Sequence, residues 1–379
     1  MKKCIYCQQE KNENCFSLEH VIPQFLGGAL VADKFKTHYV CKSCNNNLGL
    51  FVDASFEKDW LVHNHLITEF SDFFDPKNIT GLPLVCMGIS TIRPPKMPDN
   101  NVCELYLGPL GEQIFWIRSE DERLYWYAGG NPRTAKEKWT TAYFLCSERT
   151  RKNPLLSLLS FKLAFENKKV RKIMCTKITD CDLRQFGFSM PDEVDIERIE
   201  FFKDDSNRGQ LKYSKNIKYD QRFMAKLSIG ILHCLFPNSI FSNQYFTEMY
   251  RGLWHRDNED FPDIRGCSEA DDKLKELLGV PSGIAISIMC IDNTIALNLN
   301  IAQKLHWTIK CGDIEELNEK DKHIIDDQGR VFIIYRAINK YIELSMLEFI
   351  MHKTKNCINQ ELKEIEDILL KRKDYFKNL

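Results

Sequence analysis

Two cysteine pairs place the strongest constraint on how this chain folds. Cys4-Ile5-Tyr6-Cys7 and Cys41-Lys42-Ser43-Cys44 are separated by 33 residues. Each Cys-x-x-Cys turn offers two thiolates from one knuckle, and two knuckles close a tetrahedron around zinc. With sulfur at all four positions, none stays open for water or substrate, so the expected Zn2+ is structural. It replaces the apolar core that a module of ~60 residues builds poorly by itself. Cys15 lies off this spacing and is not expected to be a ligand. The chain has fifteen cysteines among 379 residues. In a reducing compartment disulfides are not expected, and scattered cysteines such as Cys86, Cys146, Cys234 and Cys290 read as small buried hydrophobes.

Between the knuckles, Ser17 to Pro23 reads as a short strand containing Glu19-His20. Gly27-Gly28 is a turn signal, and Thr37 to Val40 reads as a second strand ending at the second knuckle. From Asn45 to about Leu61 a helix is expected, because Leu48, Phe51, Val52, Phe56 and Trp60 recur at helical spacing. Gly49 inside it lowers helix propensity by roughly 1 kcal/mol, which suggests a close approach there. The predicted order is strand, loop, strand, helix, with zinc tying the ends. His38 reads as a wall residue of the second strand.

Cysteine spacing, Glu19-His20 and Asn45 after the last cysteine occur together and in order. In this the segment resembles the HNH endonucleases of the ββα-metal fold. The similarity is greatest to their Cys4-zinc branch, which includes phage Holliday-junction resolvases. The resemblance covers about 60 residues. It implies His20 as the general base, since imidazole is the side chain suited to proton transfer near neutral pH. It implies Glu19 and Asn45 as oxygen ligands of a hard ion, Mg2+ or Mn2+. That ion would stabilise the phosphorane and the departing 3′-oxygen. Successive strand residues point to opposite faces, so a distorted strand end is expected at Glu19-His20. Many relatives carry a second histidine eight or nine residues after the Asn; here Asp53 stands near that position. It reads as a third ligand or as a surface residue. His63 and His65 lie too far down the helix.

The remaining chain is expected to be a larger mixed α+β region, making the whole α+β, with segments 1–66, 67–205 and 206–379. Strands are predicted at Leu84–Met87, Val102–Leu107, Gln113–Ile117 and Arg123–Tyr127, forming a small antiparallel sheet. Tyr125-Trp126-Tyr127 has the composition of a base-stacking platform, although such a triplet more often only builds a strand. Helices are expected at Ala135–Leu145, with Trp139 and Tyr143 at helical spacing, and at Pro154–Phe165. Mostly apolar helices are expected at Tyr219–Leu235 and Phe241–Leu253. Further strands are read at Gly283–Cys290, Thr294–Asn300, Leu305–Cys311 and Val331–Arg336, and a helical tail from Tyr341.

Net charge is −1, but its distribution is uneven. Arg133 to Lys177 holds twelve Lys/Arg against three Asp/Glu, and an acidic stretch follows. Arg133, Lys136, Lys138, Arg149, Arg151, Lys152, Lys168, Lys169, Arg171 and Lys172 are candidates for nucleic-acid backbone contact. The alternative is a solvated face paired with the acidic stretch. No apolar run approaches the ~20 residues of a membrane span, and the N-terminus has no apolar core of a secretory signal. A cytoplasmic protein is expected. No phosphate-binding loop, dinucleotide motif or second metal cluster appears. The expected function is a metal-dependent endonuclease acting on DNA, with RNA within reach of the same chemistry. The region after it would aim or regulate cleavage through a ligand or protein partner. That arrangement resembles bacterial restriction and anti-phage nucleases by analogy alone. A homo-oligomer is compatible with the sequence. The rival readings are a zinc ribbon that binds nucleic acid without cutting it, and an adaptor protein.

Overall fold

The computed structural model describes residues 1–121, 127–178, 181–207, 209–213, 215–255, 271–372 and 375–376. Its fold is mixed α+β. The chain divides into two compact units, one of residues 1–57 and 216–367, the other of 58–215 and 368–379. The N-terminal module is therefore grouped with the distal part of the chain rather than with the residues that follow it.

In the first unit, a short hairpin of Lys2–Lys3 and Glu10–Lys11 carries the first knuckle. Phe16–His20 pairs antiparallel with Lys36–Cys41. The next helix is not the continuous one that the periodicity suggests. An α-helix at Lys42–Leu48 passes into a π-helical segment at Gly49–Asp53 and returns to α geometry at Ala54–Glu57. There it ends. Asp59 accepts hydrogen bonds from the Leu61 and Val62 amides and caps a new helix, Trp60–Asp72, in the second unit. This local cap outweighs the apolar spacing that linked Trp60 to Phe56. Phe51, expected on the apolar stripe, is 45% exposed.

The module packs on a five-stranded antiparallel sheet. Its order is Leu305–Asp313, Thr294–Ile301, Ile284–Ile291, Gly329–Tyr335 and Lys340–Ser345. Asp292 and Asn293 both take positive φ (45° and 63°), as a tight two-residue hairpin turn requires. The last strand corrects the helical tail expected from Tyr341. Lys-Tyr-Ile-Glu-Leu-Ser alternates polar and apolar with period two, and Ile342 and Leu344 are buried. Ser345 then caps the helix Met346–Lys353 through a capping box with Glu348. The helix Ile217–Leu235 covers this sheet, and its residues from Phe223 to Leu232 are all buried. Phe223 stacks on Phe56 with centroids 3.9 Å apart and planes at 9°, while Trp307 meets Phe56 edge-on at 5.1 Å. Phe35 meets Phe332 edge-on at 4.8 Å. Such pairs add to the burial of large apolar rings.

The second unit holds a six-stranded sheet. The order is Leu211–Lys212, Val85–Ser90, Asn101–Leu107, Gln113–Ser119, Thr140–Leu145 and Val170–Met174. The final pair is parallel, so the sheet is not purely antiparallel as expected. The helix Pro154–Ala164 lies in the connection between those two strands. The helix expected at Ala135–Leu145 is a short helix, Pro132–Glu137, followed by the strand Thr140–Leu145. Thr140-Thr141-Ala142-Tyr143-Phe144 is rich in β-branched and aromatic residues, which favour the pleated surface. Trp139 is accordingly exposed and Tyr143 buried, not two members of one helix face. The strand expected at Arg123–Tyr127 lies outside the described residues except for Tyr127. Among the described residues no helix is long and apolar enough to cross a membrane.

Candidate metal centre and nuclease site

Cys4, Cys7, Cys41 and Cys44 come together, with all four sulfurs within 4.8 Å of one another. Tetrahedral zinc with Zn–S bonds of about 2.3 Å spaces its sulfurs about 3.8 Å apart, a small inward shift from this. The donor set therefore fits a structural zinc ion. Cys15 is exposed and is not one of the four. The Cys41 amide donates to Cys4 Sγ at 3.4 Å, and Lys11 Nζ lies 3.1 Å from Cys41 Sγ. A hydrogen bond from Cys44 pulls the Cys4 thiol down to about 4, while the same contact pushes Cys44 up. Four crowded thiols thus already favour one thiolate, and a divalent cation is what lets the others follow. The first knuckle is held from outside the module: Tyr250 Oη donates to the Ile5 carbonyl at 2.5 Å, and Trp254 Nε1 to Tyr6 O at 2.9 Å.

Beside this centre, Leu18, Glu19, His20, Asn45, Gly49 and Asp53 line one cavity of about 530 Å³. Glu19 and His20 both line it, and the strand pair beside them is irregular. Ser17 faces Val40 but Glu19 faces Thr37, so the partner strand carries one extra residue. A bulge of this kind twists the ladder and re-aims side chains. Asn45 fixes the same place from the helix. Its Nδ2 donates to Ser17 Oγ at 3.1 Å and to the Leu18 carbonyl at 2.9 Å. Its carboxamide oxygen is then the one atom it can offer a cation.

The π segment brings Asp53 to this face. Eight residues of regular α-helix overshoot two turns by about 80°. The wider i→i+5 turns of Gly49–Asp53 rotate less per residue and carry Asp53 back toward Asn45. Gly49 opens that segment. A Cβ there would meet nothing within 4 Å, so the glycine does not mark the close approach that the sequence suggested. Nor is Asp53 a plain surface residue: its side chain is only 17% exposed.

Nothing in the sequence pointed to Lys226. It lies on the buried face of Ile217–Leu235, with its side chain 2% exposed. Its ammonium is 2.5 Å from Asp53 Oδ2 and 3.0 Å from Glu19 Oε1. Gly230, one turn along the same helix, permits the approach. A Cβ there would fall 2.7 Å from Val21 Cγ1 and 2.9 Å from Tyr6 Oη. Burial pushes the Glu19 and Asp53 carboxyls up, and Lys226 opposes this at both. Burial alone would lower Lys226, but Asp53 and Glu19 reverse that and hold it above the ordinary lysine range. Asp53 Oδ1 has no hydrogen-bond partner among the described residues, and Glu19 Oε1 meets only the Lys226 ammonium.

Residues 4–61 match the HNH endonuclease family. The matched segment of this HNH module contains the four cysteines, Glu19, His20, Asn45 and Asp53, and stops far short of Lys226. No curated protein and no solved structure is matched by the chain. The unpartnered Asp53 Oδ1, the Glu19 carboxylate and an amide oxygen in one cavity make a hard donor set that fits a divalent ion.

The basic candidates all lie in the second unit, and three of them are partly buried and engaged within it. Lys168 bonds to the Ala164 carbonyl and sits 5.9 Å over Trp116. Arg171 pairs with Asp192 and Asp195, at 2.8 and 2.6 Å. Lys172 Nζ donates to Phe186 O at 2.5 Å. Arg133, Lys136, Lys138, Arg149, Arg151, Lys152 and Lys169 are exposed, Arg133 and Arg151 in surface pairs with Glu137 and Glu148.

Proposed function

We propose that this protein is a metal-dependent endonuclease that hydrolyses phosphodiester bonds of DNA. The observation that carries this is the convergence of His20, Glu19, Asn45 and Asp53 on one cavity within the HNH module. His20 is half-exposed, and among the described residues its ring makes no hydrogen bond, leaving it open to a water. In this reading His20 takes the proton of the attacking water. Glu19, Asp53 and the Asn45 carboxamide oxygen would hold Mg2+ or Mn2+, whose charge favours the phosphorane and the leaving 3′-oxygen. Asn45 also pins the strand that carries His20 and Glu19, so it keeps both in place whether or not an ion is bound. Zinc at the four cysteines builds the module and takes no part in cleavage. Zinc thiolates and many free cysteines suit the cytoplasm.

The seven exposed basic residues of the second unit are assigned to backbone contact, which positions a polyanion without reading sequence. That unit would aim or restrain cleavage, as in restriction and anti-phage nucleases, an analogy of architecture only. The test is a supercoiled plasmid incubated with the protein and Mg2+ or Mn2+, with a structured RNA alongside. Nicking of the plasmid is expected, reduced at least about a hundredfold by His20→Ala. If neither nucleic acid is cut, or if His20→Ala cuts as fast as the parent, the nuclease reading fails. Binding without cutting would place the chain with zinc-ribbon binding proteins.

A further inference from the structure

Lys226 belongs to no part of the HNH match, yet it is the nearest charge to both acidic residues of the site. Three observations make its contact more than a packing accident. The ammonium is buried, so its desolvation must be offset by partners of opposite charge. It reaches two carboxylates from different elements, Glu19 on the strand Phe16–His20 and Asp53 on the π segment. The helix that carries it is let in by Gly230 against Tyr6 and Val21, beside the first knuckle.

The charge count has a consequence for ion binding. Glu19 and Asp53 together carry two negative charges when ionised, and Lys226 returns one. A divalent ion placed among them leaves the site with an excess positive charge in a poorly solvated place, where like charges repel strongly. One phosphodiester, with its single negative charge, restores the balance. We infer that Lys226 is a positioning residue of the nuclease site whose ammonium makes binding of the divalent ion depend on a substrate phosphate. This rests on the nuclease reading and extends it. Lys226 also holds the two carboxylates together before substrate arrives. In the absence of nucleic acid the protein holds its catalytic ion weakly. Ion and phosphodiester then bind with mutual reinforcement, which linkage requires to be equal in both directions.

The test uses the full-length, zinc-loaded protein carrying His20→Ala, so that bound DNA is not cut. Mn2+ is titrated and the free ion followed by electron paramagnetic resonance at mildly alkaline pH, with and without a short DNA duplex. The duplex is expected to tighten Mn2+ binding by about tenfold or more, the size of a nearby unit charge. Lys226→Gln keeps a hydrogen-bond donor between the carboxylates but removes the charge. It should bind Mn2+ about tenfold more tightly without DNA and lose most of the DNA dependence. Lys226→Arg should behave as the parent does. A salt bridge that only fastened the helix would move the unfolding midpoint and leave these affinities alone. Equal Mn2+ affinity with and without duplex in the parent overturns the inference, even if the Gln variant does not fold. So does equal affinity in the parent and the Gln variant. Either result with plasmid cutting intact sinks this inference alone, whereas a wild type that cuts nothing sinks the nuclease reading.

Discussion

His306 shows how burial sets a pH response one residue at a time. It is 2% exposed, and burial, with Lys275 adding to it, pushes its ring down to about 4. The unfolded chain takes up that proton below about 6.5. Between about 6.5 and 4 the unfolded state therefore binds more protons, and stability falls as pH falls. Thermal unfolding across that window should show a dropping midpoint, with a shallower slope in His306→Gln; identical slopes would refute the assignment. Legibility at this scale follows sequence distance. Glu19, His20 and Asn45 were readable because they sit at fixed spacing from cysteines. Asp53 was readable only as a distance along a helix, since nothing in the letters Gly-Leu-Phe-Val-Asp announces a π turn. Lys226 was unreadable. It stands 173 residues from Asp53 on a mostly apolar helix, where a lone lysine ordinarily reads as the end that reaches water.

At the scale of elements, the site depends on two departures from regular geometry and on the helix that backs them. The bulge lies beside Glu19 and His20, and the π segment returns Asp53 to their cavity. Both are held against Ile217–Leu235, through Phe56 on Phe223 and through Lys226. Phe223→Ala should remove about 3–5 kcal/mol of stability. Nicking should fall with it, because the carboxylates lose their backing even where the module stays folded. An unchanged unfolding midpoint would contradict the packing described. Two elements were misread for a common reason. Thr140–Leu145 and Lys340–Ser345 are strands whose apolar residues also fit part of a helical stripe over so short a window. Their β-branched and alternating residues decided the matter once neighbouring strands were available to pair with.

For the whole molecule, the α+β class and the N-terminal module could be read from residues alone, but the grouping of the chain could not. Local patterns carry no information about which distant segment covers a surface. Residues 1–57 form one compact unit with 216–367, and 58–215 are inserted between them. A fragment ending at Glu57 would keep its four cysteines but lose Phe223, Trp307 and Lys226. Even with zinc it should lack a cooperative thermal transition and leave plasmid intact, whereas the full chain unfolds cooperatively. A fragment that cuts plasmid as well as the full chain would show that the distal helix is dispensable. The same arrangement bears on the order of synthesis. The first 57 residues leave the ribosome well before Lys226 has been translated. On the proposed reading, a growing chain carries the cysteines and His20 but not the helix whose Phe223 and Lys226 back the site. If the chain is a nuclease, an unfinished copy would lack the backing of its site, and no inhibitor would be needed during translation.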